Sequence, residues 1–151
     1  MNDTTATLLN DPTVRFLLPV LVLAIWTMIM WFWMYLTRIP AFQKAGIQPN
    51  DARHPGSYGD QLPSNVRAVA DNYNHLHEAP TVFYAVMMFA ALTGGGDHIA
   101  AYLAWMYVGL RIAHSLVQVL SSNVTLRFLV FGLSSFGLFA LIIKEAVRVF
   151  I

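Results

Sequence analysis

The sequence predicts an all-α integral membrane protein: a single domain, residues 1–151, built as an antiparallel bundle of four transmembrane helices. Hydrophobic residues make up 57% of the chain and charged residues only 11%, with a mean hydropathy of +0.55. One stretch of 21 positions, Phe16 to Leu36, contains no charged residue. As a helix it would be about 30 Å long, which is enough to cross the hydrocarbon core of a bilayer. Only short breaks separate the later apolar segments, so consecutive helices there must run in opposite directions.

The first element is a helix over about residues 14–36, defined by that uncharged run. Aromatic residues gather toward its end, at Trp31, Trp33 and Tyr35, and such rings are typical of a membrane–water interface. The stretch 37–64 that follows contains four prolines and three glycines, which interrupt regular structure. It is therefore predicted to be an irregular loop outside the membrane, and a loop of this length is often a lid or a binding element.

Three further helices are predicted at about 65–92, 98–120 and 125–150, where apolar runs reach helical length. Gly94-Gly95-Gly96 separates the first two of these, and Ser121-Ser122-Asn123 separates the last two. Both breaks have the composition of tight turns.

Basic residues indicate how the bundle lies in the membrane. More of them fall on the side of the long loop than on the side of the termini, and cytoplasmic segments are enriched in lysine and arginine. The long loop is therefore predicted to be cytoplasmic, with both termini outside. The loop side holds Arg38, Lys44, Arg53, Arg67 and Arg127, and the other side holds Arg15, Lys144 and Arg148.

Polar side chains interrupt the second and third predicted membrane helices. Such residues are costly at membrane depth, and they persist where they pair inside a bundle or form a site. Counted from the glycine turn, Glu78 is about 24 Å along its helix and His114 about 22 Å along the next, so both lie at the same depth. By the same count Asn74 is level with Gln118. Arg111 lies within reach of Glu78.

These residues also recur every three or four positions, the spacing that aligns side chains along one helix face. Each of the two helices is therefore expected to present one polar stripe. Arg67 and Arg127 both fall near the predicted cytoplasmic boundary and form a cationic rim above the stripes. The stripes consist of Arg67, Asp71, Asn74 and Glu78 on the second helix and Arg111, His114 and Gln118 on the third.

Structural roles compete with functional ones at these positions. Arg111 and Glu78 fit a buried ion pair that fixes the helix register. His114 fits a hydrogen-bonded histidine of the core. Arg67 and Arg127 fit contacts with lipid phosphates at the interface.

Composition and spacing argue against several functions. A formal net charge of +1 gives no indication of nucleic-acid binding. The chain has no cysteine, so it cannot form disulfides or use its own thiol as a nucleophile, and any thiol chemistry must use the sulfur of a ligand. No metal site is predicted, because His75 and His77 point away from each other on a helix. His77, Glu78 and His114 could approach one another closely enough to bind a metal ion, but they are not predicted to do so.

The motifs on these helices resemble those of a known family. The segments are Asn74-His75-Leu76-His77-Glu78-Ala79-Pro80, then Arg111-Ile112-Ala113-His114-Ser115, and then Arg127. They are similar to the membrane-associated proteins in eicosanoid and glutathione metabolism, the MAPEG family. That family typically has Arg-Asn, Glu and Pro in its second helix, Arg-x-x-His in its third and Arg at the start of its fourth. The chain resembles a divergent, bacterial-type member.

The resemblance implies a homotrimer with glutathione sites between subunits, open to the cytoplasmic side. It implies glutathione as co-substrate, Arg127 as the catalytic residue that stabilises the thiolate, and a lipophilic electrophile from the membrane as the second substrate. A cationic rim suits an anionic tripeptide, and a cation favours the reactive thiolate. The residues that would bind the tripeptide are Arg67, Asn74, Glu78, Arg111, His114 and Gln118.

The chain also departs from the family pattern. Tyr73 stands where the family commonly has Arg before the Asn. His77 replaces the usual Glu, and Glu78 lies about 100° further round the helix. Gln118 and Phe131 occupy positions where tyrosine is common. Several expected glutathione contacts are therefore missing or changed, and a shared fold does not by itself bring a shared activity.

The predicted function is a membrane-bound glutathione-dependent transferase or peroxidase that acts on lipophilic electrophiles. Two alternatives stay open. The chain fits a MAPEG-fold protein that has lost glutathione chemistry and binds a lipid or another amphiphile. It also fits a purely structural trimer, in which the polar stripes serve assembly alone.

Overall fold

The computed structural model describes residues 7–8, 10–48, 50–54, 58–121 and 123–151. Within these ranges the chain is all-helical. Three of the described helices, α1 (Pro12–Ala45), α4 (His98–Leu120) and α5 (Val124–Phe150), are long and apolar enough to cross a membrane, which confirms the prediction of an all-α membrane protein. The α-helices are α1 (Pro12–Ala45), α2 (Ser64–His75), α3 (Ala79–Leu92), α4 (His98–Leu120) and α5 (Val124–Phe150), and two short 3-10 helices, Asp51–Arg53 and Gly59–Gln61, lie between α1 and α2.

Helix α1 is longer than the sequence predicted. It begins where the Asp11 carboxylate accepts hydrogen bonds from the backbone N–H groups of Thr13 at 2.7 Å and Val14 at 3.2 Å, as an N-cap residue does. It ends at Gly46, whose φ of 68° is a left-handed conformation that glycine adopts without steric cost. Pro40 lies inside the helix and removes only one helix hydrogen bond. The prediction of a loop from residue 37 was therefore wrong up to residue 45.

The predicted helix 65–92 is broken into α2 and α3. Pro80 is the cause, because it has no N–H to donate to residue 76 and its ring excludes the carbonyl of that residue from a regular helix. Pro80 instead lies in the first turn of α3, a position that proline tolerates. The chain between the helices makes tighter bonds, such as that from the His77 N–H to the Asn74 carbonyl at 2.9 Å.

The segment between α1 and α2 is partly folded onto α1. Ile47, Tyr58 and Leu62 form a small buried cluster against Phe42. Arg38 donates a hydrogen bond to the Tyr58 hydroxyl and lies over its ring. Five residues that the loop and turn predictions included, namely Pro49, Pro55, Gly56, Ser57 and Ser122, lie outside the described residues.

The main core lies among all five α-helices, where side chains such as Leu23, Phe83 and Leu141 are fully buried and Val69 of α2 is nearly so. Asp97 at the start of α4 contacts Lys144 near the end of α5. His114 near the end of α4 contacts Phe131 near the start of α5.

The ends of the helices gather at two ends of the molecule. Pro12 and Arg15 at the start of α1 line a cavity together with Gly96 and Asp97. Lys44 at the end of α1 lines another cavity together with residues of the segment that leads into α2. The start of α1 and the end of α5 therefore lie at the end of the glycine turn, and the described part of the long loop lies at the opposite end.

An ion network joins the glycine turn to α5. Buried Glu145 accepts hydrogen bonds from Lys144 at 2.8 Å and from Arg148 at 2.7 Å, and Arg148 also donates to the Thr93 carbonyl. A side chain at Gly95 would come within 2.8 Å of the Arg148 guanidinium, so the side chains of the network would have to shift to admit one. The Ala100 N–H and the Lys144 ammonium hold the pKa of the Asp97 carboxyl below its ordinary value.

Candidate functional site

A cationic cleft of about 300 Å³ lies between α2 and the turn that joins α4 to α5. It brings together three residues that the sequence singled out as site residues. Arg67 comes from α2, Gln118 from α4 and Arg127 from α5. The remaining lining residues are Ser64, Ala68, Asp71, Ser121, Asn123 and Val124.

Local helix geometry explains this convergence. Ser64, Arg67 and Asp71 are three and four residues apart, so they lie on one face of α2. The Asn123 side chain accepts a hydrogen bond from the Leu126 N–H at 2.9 Å, which caps the start of α5. Arg127 follows in the first turn of that helix, where the positive end of the helix dipole adds to its charge.

The cleft is positively charged overall, because its lining contains two guanidinium groups and a single carboxylate, that of Asp71. Arg67 lies 3.6 Å from Asp60, but both side chains are exposed, so this ion pair contributes little. Arg127 is half-buried and forms no ion pair within the described ranges. Its charge is therefore the one in the cleft that is least neutralised by the protein.

Gln118 adds a neutral polar group to the cleft wall. Its side chain is only 5% exposed, and its Oε1 atom has no hydrogen-bond partner among the described residues. A buried acceptor without a donor destabilises a protein by about 1–3 kcal/mol. A ligand with an N–H group would satisfy it.

Arg111 lies one layer deeper and is 1% exposed. Its Nε donates a hydrogen bond to the Tyr107 hydroxyl at 3.0 Å, and its guanidinium lies 5.1 Å from the centre of the Phe131 ring. The predicted ion pair with Glu78 does not form: Glu78 instead contacts His75 at 2.9 Å. The charge of Arg111 is held by hydroxyl and aromatic groups, and its Nη2 atom has no partner in the described part of the chain.

His114 is buried beside Arg111, and its ring centre lies 6.3 Å from that of His75 on α2. Arg111, His75 and Arg127 are all close enough to His114 to interact with it electrostatically. One group of cationic and imidazole side chains therefore continues from the cleft into the protein.

Asn74 and Glu78 do not line the cleft. Both are exposed near the end of α2. The sequence placed Asn74 level with Gln118 and Glu78 level with His114, but the structure brings Gln118 beside Asp71 and His114 beside His75. The prediction counted residues from the glycine turn along an unbroken second helix. The break before Pro80 shifts α2 relative to α4 by about one helical turn.

Sequence reasoning missed three buried polar residues: Asn72, Ser115 and Tyr107. The side-chain atoms Nδ2 and Oδ1 of Asn72 and Oγ of Ser115 have no partner in the described ranges. The position of Tyr107 four residues before Arg111 is a signal that could have found it, because side chains four apart on a helix meet. Within the same ranges no group of histidine and acidic residues could hold a metal ion.

Comparisons with known proteins give a single finding. The MAPEG family model matches residues 16–147, which is most of the chain. A search of curated proteins and a search of solved structures each found no match. The chain therefore belongs to the MAPEG family, which includes glutathione-dependent transferases and peroxidases.

Proposed function

We propose that this protein is a membrane-bound glutathione-dependent transferase or peroxidase that acts on lipophilic electrophiles. The observation that supports this most is the cleft in which Arg67, Gln118 and Arg127 meet. Its size is at the lower end of the range for small-molecule sites. Family membership supplies the glutathione chemistry that the cleft would serve.

Glutathione matches the groups of the cleft. It is a tripeptide with two carboxylates, one ammonium group and one thiol, so its net charge is negative and a cationic cleft attracts it. Arg67 at the rim binds a carboxylate of the ligand. Gln118 accepts a hydrogen bond from a peptide N–H of the ligand, which satisfies its buried oxygen.

Arg127 is the proposed catalytic residue. A guanidinium beside a thiol favours the charged form and so lowers the thiol pKa. The thiolate, and not the thiol, is the nucleophile. Attack of this sulfur on an electrophile from the membrane forms the new bond to sulfur. Arg111 and His114 form the deeper wall behind it.

We also propose a single-domain antiparallel bundle that assembles as a homotrimer, with the long loop in the cytoplasm. In a trimer whose sites lie between subunits, exposed Asn74 and Glu78 would complete the site from the subunit boundary. Light scattering of the detergent-solubilised protein, corrected for detergent, should give three times the mass of one chain. A mass of one chain would contradict the trimer.

Thermal melting with glutathione tests the proposed function. Millimolar glutathione should raise the melting temperature of the wild type, because a ligand that binds only the folded state stabilises it. Arg127→Ala should bind at least about tenfold more weakly, since a hydrogen bond to a charged group contributes about 1.5–3 kcal/mol. Arg53→Ala is the control, because Arg53 is exposed and lies outside the cleft.

A second ligand separates thiolate binding from carboxylate binding. S-methylglutathione keeps both carboxylates but has no ionisable thiol. If Arg127 stabilises the thiolate, Arg127→Ala should weaken binding of this analogue much less than binding of glutathione. An equal loss for both ligands would place Arg127 on a carboxylate instead.

The alternative is a protein of the same fold that binds a lipid or another amphiphile, or that has only a structural role. The observation that favours a lipid is the position of Arg67 and Arg127 at the rim of the cleft, where lipid phosphates are found. Stabilisation by a short-chain anionic phospholipid, with none by glutathione, would favour this alternative. Stabilisation by neither would favour the structural role.

A further inference from the structure

We propose that His75 is the general base that removes the proton from the thiol of glutathione, and that Glu78 orients it. This inference rests on the proposed function and adds a proton acceptor to it. Arg127 stabilises a thiolate once it has formed, but a cation does not accept the proton. The pair formed by His75 and Glu78 can do so.

The contact between the two residues has the geometry of a base and its orienting carboxylate. His75 Nδ1 lies 2.9 Å from Glu78 Oε2. A carboxylate accepts a hydrogen bond and cannot donate one when ionised, so the Nδ1 atom carries the hydrogen. The Nε2 atom is then left with a free lone pair, which is the arrangement of a histidine general base.

The position of His75 follows from the cleft residues. His75 lies one helical turn beyond Asp71 on α2, and His114 lies one turn before Gln118 on α4. Asp71 and Gln118 both line the cleft, and the rings of His75 and His114 contact each other. His75 therefore lies about 6 Å beyond the cleft residue Asp71 along α2, a distance shorter than an extended tripeptide.

A histidine that acts as a general base here needs a carboxylate partner and a side chain that a ligand can reach. His114 and His77, the other nearby histidines, do not meet both requirements. His114 is buried and has no carboxylate partner among the described residues. His77 is exposed, but its Nδ1 lies 2.9 Å from the Tyr73 carbonyl and its ring packs against the Tyr73 ring. Of these three histidines, only His75 has a carboxylate partner among the described residues, and its side chain is 40% exposed.

The helix break places Glu78 in this contact. Because Pro80 ends α2 at His75, Glu78 is the residue before α3 and has φ −92° and ψ −101°, which is not helical. The same carboxylate was predicted to pair with Arg111. Because of the break, the Glu78 carboxylate contacts His75 and not Arg111. Glu78 therefore does not join two helices and can orient the proposed general base.

The proton transfer is balanced in charge. The S–H bond of glutathione breaks and an N–H bond forms at His75 Nε2, which leaves a thiolate beside Arg127 and an imidazolium beside the Glu78 carboxylate. The imidazolium then returns its proton to the leaving group or to solvent. The titratable groups that contact His75 are Glu78 and, on α4, His114. Asp71 lies one turn earlier on α2, and Arg111 and Arg127 interact electrostatically with His114.

The test compares His75→Gln with His77→Gln as a matched control. Thermal melting with glutathione measures binding, the ultraviolet absorbance of the thiolate measures ionisation of the bound ligand, and the rate with an aryl halide measures turnover. His75→Gln should bind glutathione as the wild type does, but its turnover near neutral pH should fall about 100-fold, within the usual contribution of a general base. The loss should shrink at alkaline pH, where the thiol ionises without help.

Glu78→Gln provides a second variant if His75→Gln does not fold. Its side chain is 62% exposed, so folding should survive. Its pH–rate profile, measured at saturating glutathione so that a change in binding does not affect the rate, should be displaced. His77→Gln should behave as the wild type. A wild-type pH–rate profile and thiolate signal in His75→Gln, with glutathione bound, would overturn the general base and leave the proposed function intact. Absence of glutathione binding in the wild type would overturn both.

Discussion

At the scale of single residues, the least expected feature is a guanidinium that is buried without a carboxylate beside it. Arg111 is the largest of the fully buried side chains in the described ranges. Burial of a charge is costly unless hydrogen bonds and favourable charges compensate. Here the compensation comes from the Tyr107 hydroxyl and from the faces of the Tyr107 and Phe131 rings. No ion pair replaces them, because the helix break before Pro80 places Glu78 against His75 instead.

Removal of the Tyr107 hydroxyl tests this account. Tyr107→Phe keeps the ring that stacks on Phe83 but leaves Arg111 Nε without an acceptor. We expect a loss of about 1–3 kcal/mol of folding stability, measured by thermal melting in detergent. The matched control is Tyr102→Phe, because Tyr102 is exposed. Equal melting temperatures for the two variants would show that the hydroxyl does not hold Arg111.

At the scale of elements, a proline break and an ion network determine how the helices are positioned relative to one another. Pro80 breaks the second predicted helix, and the offset that results brings His114 beside His75. At the other end of the molecule, Glu145 ties α5 to the glycine turn through Lys144 and Arg148. The proline break shapes the candidate site. The ion network fixes the start of α4 and so positions the α4 residues of that site.

The ion network gives a prediction about stability. Glu145→Gln should destabilise the fold by about 2–3 kcal/mol, because the loss of a buried carboxylate removes the ion-pair partner of Arg148 and leaves Lys144 with Asp97 alone. The amide can accept from one of these two cations but presents N–H groups to the other. Glu78→Gln is the matched control, since it makes the same change at an exposed site. If thermal melting shows the same small effect for both, the network contributes no more than a surface ion pair.

At the scale of the whole molecule, the start of α1 and the end of α5 lie at the end of the glycine turn. The described part of the long loop and the cationic cleft lie at the opposite end. Arg67 and Arg127 belong to the end with more basic residues. That end is the one predicted to face the cytoplasm, where a polar ligand would enter the cleft from water.

The absence of cysteine from the chain allows a direct test of sidedness. Asn10→Cys and Asn50→Cys each introduce one exposed thiol. The first lies just before α1, at the same end of the molecule as the glycine turn, and the second lies in the long loop. A membrane-impermeant maleimide added to intact cells should label Asn10→Cys and should label Asn50→Cys only after lysis. Wild-type protein is the unlabelled control. The reverse pattern would mean that the long loop lies outside.

Much of the candidate site could be predicted from the sequence. Arg67, Gln118 and Arg127 do meet in one cleft, because helical spacing and turn positions are local properties of the chain. The partners of Glu78 and Arg111 could not be predicted in this way. Their identity depends on the offset between two helices, and an error of one turn exchanges every contact across the interface.

The sequence by itself determined the membrane class, the long apolar helices, the family and the end of the molecule at which the polar residues gather. Each follows from composition, periodicity or local motifs. Only the tertiary structure decided that Pro80 divides the second helix, that tyrosine and phenylalanine surround Arg111, and that Glu78 contacts His75. These depend on packing between segments distant in sequence and on the competition between a proline and a continuous helix, which a periodic pattern does not resolve.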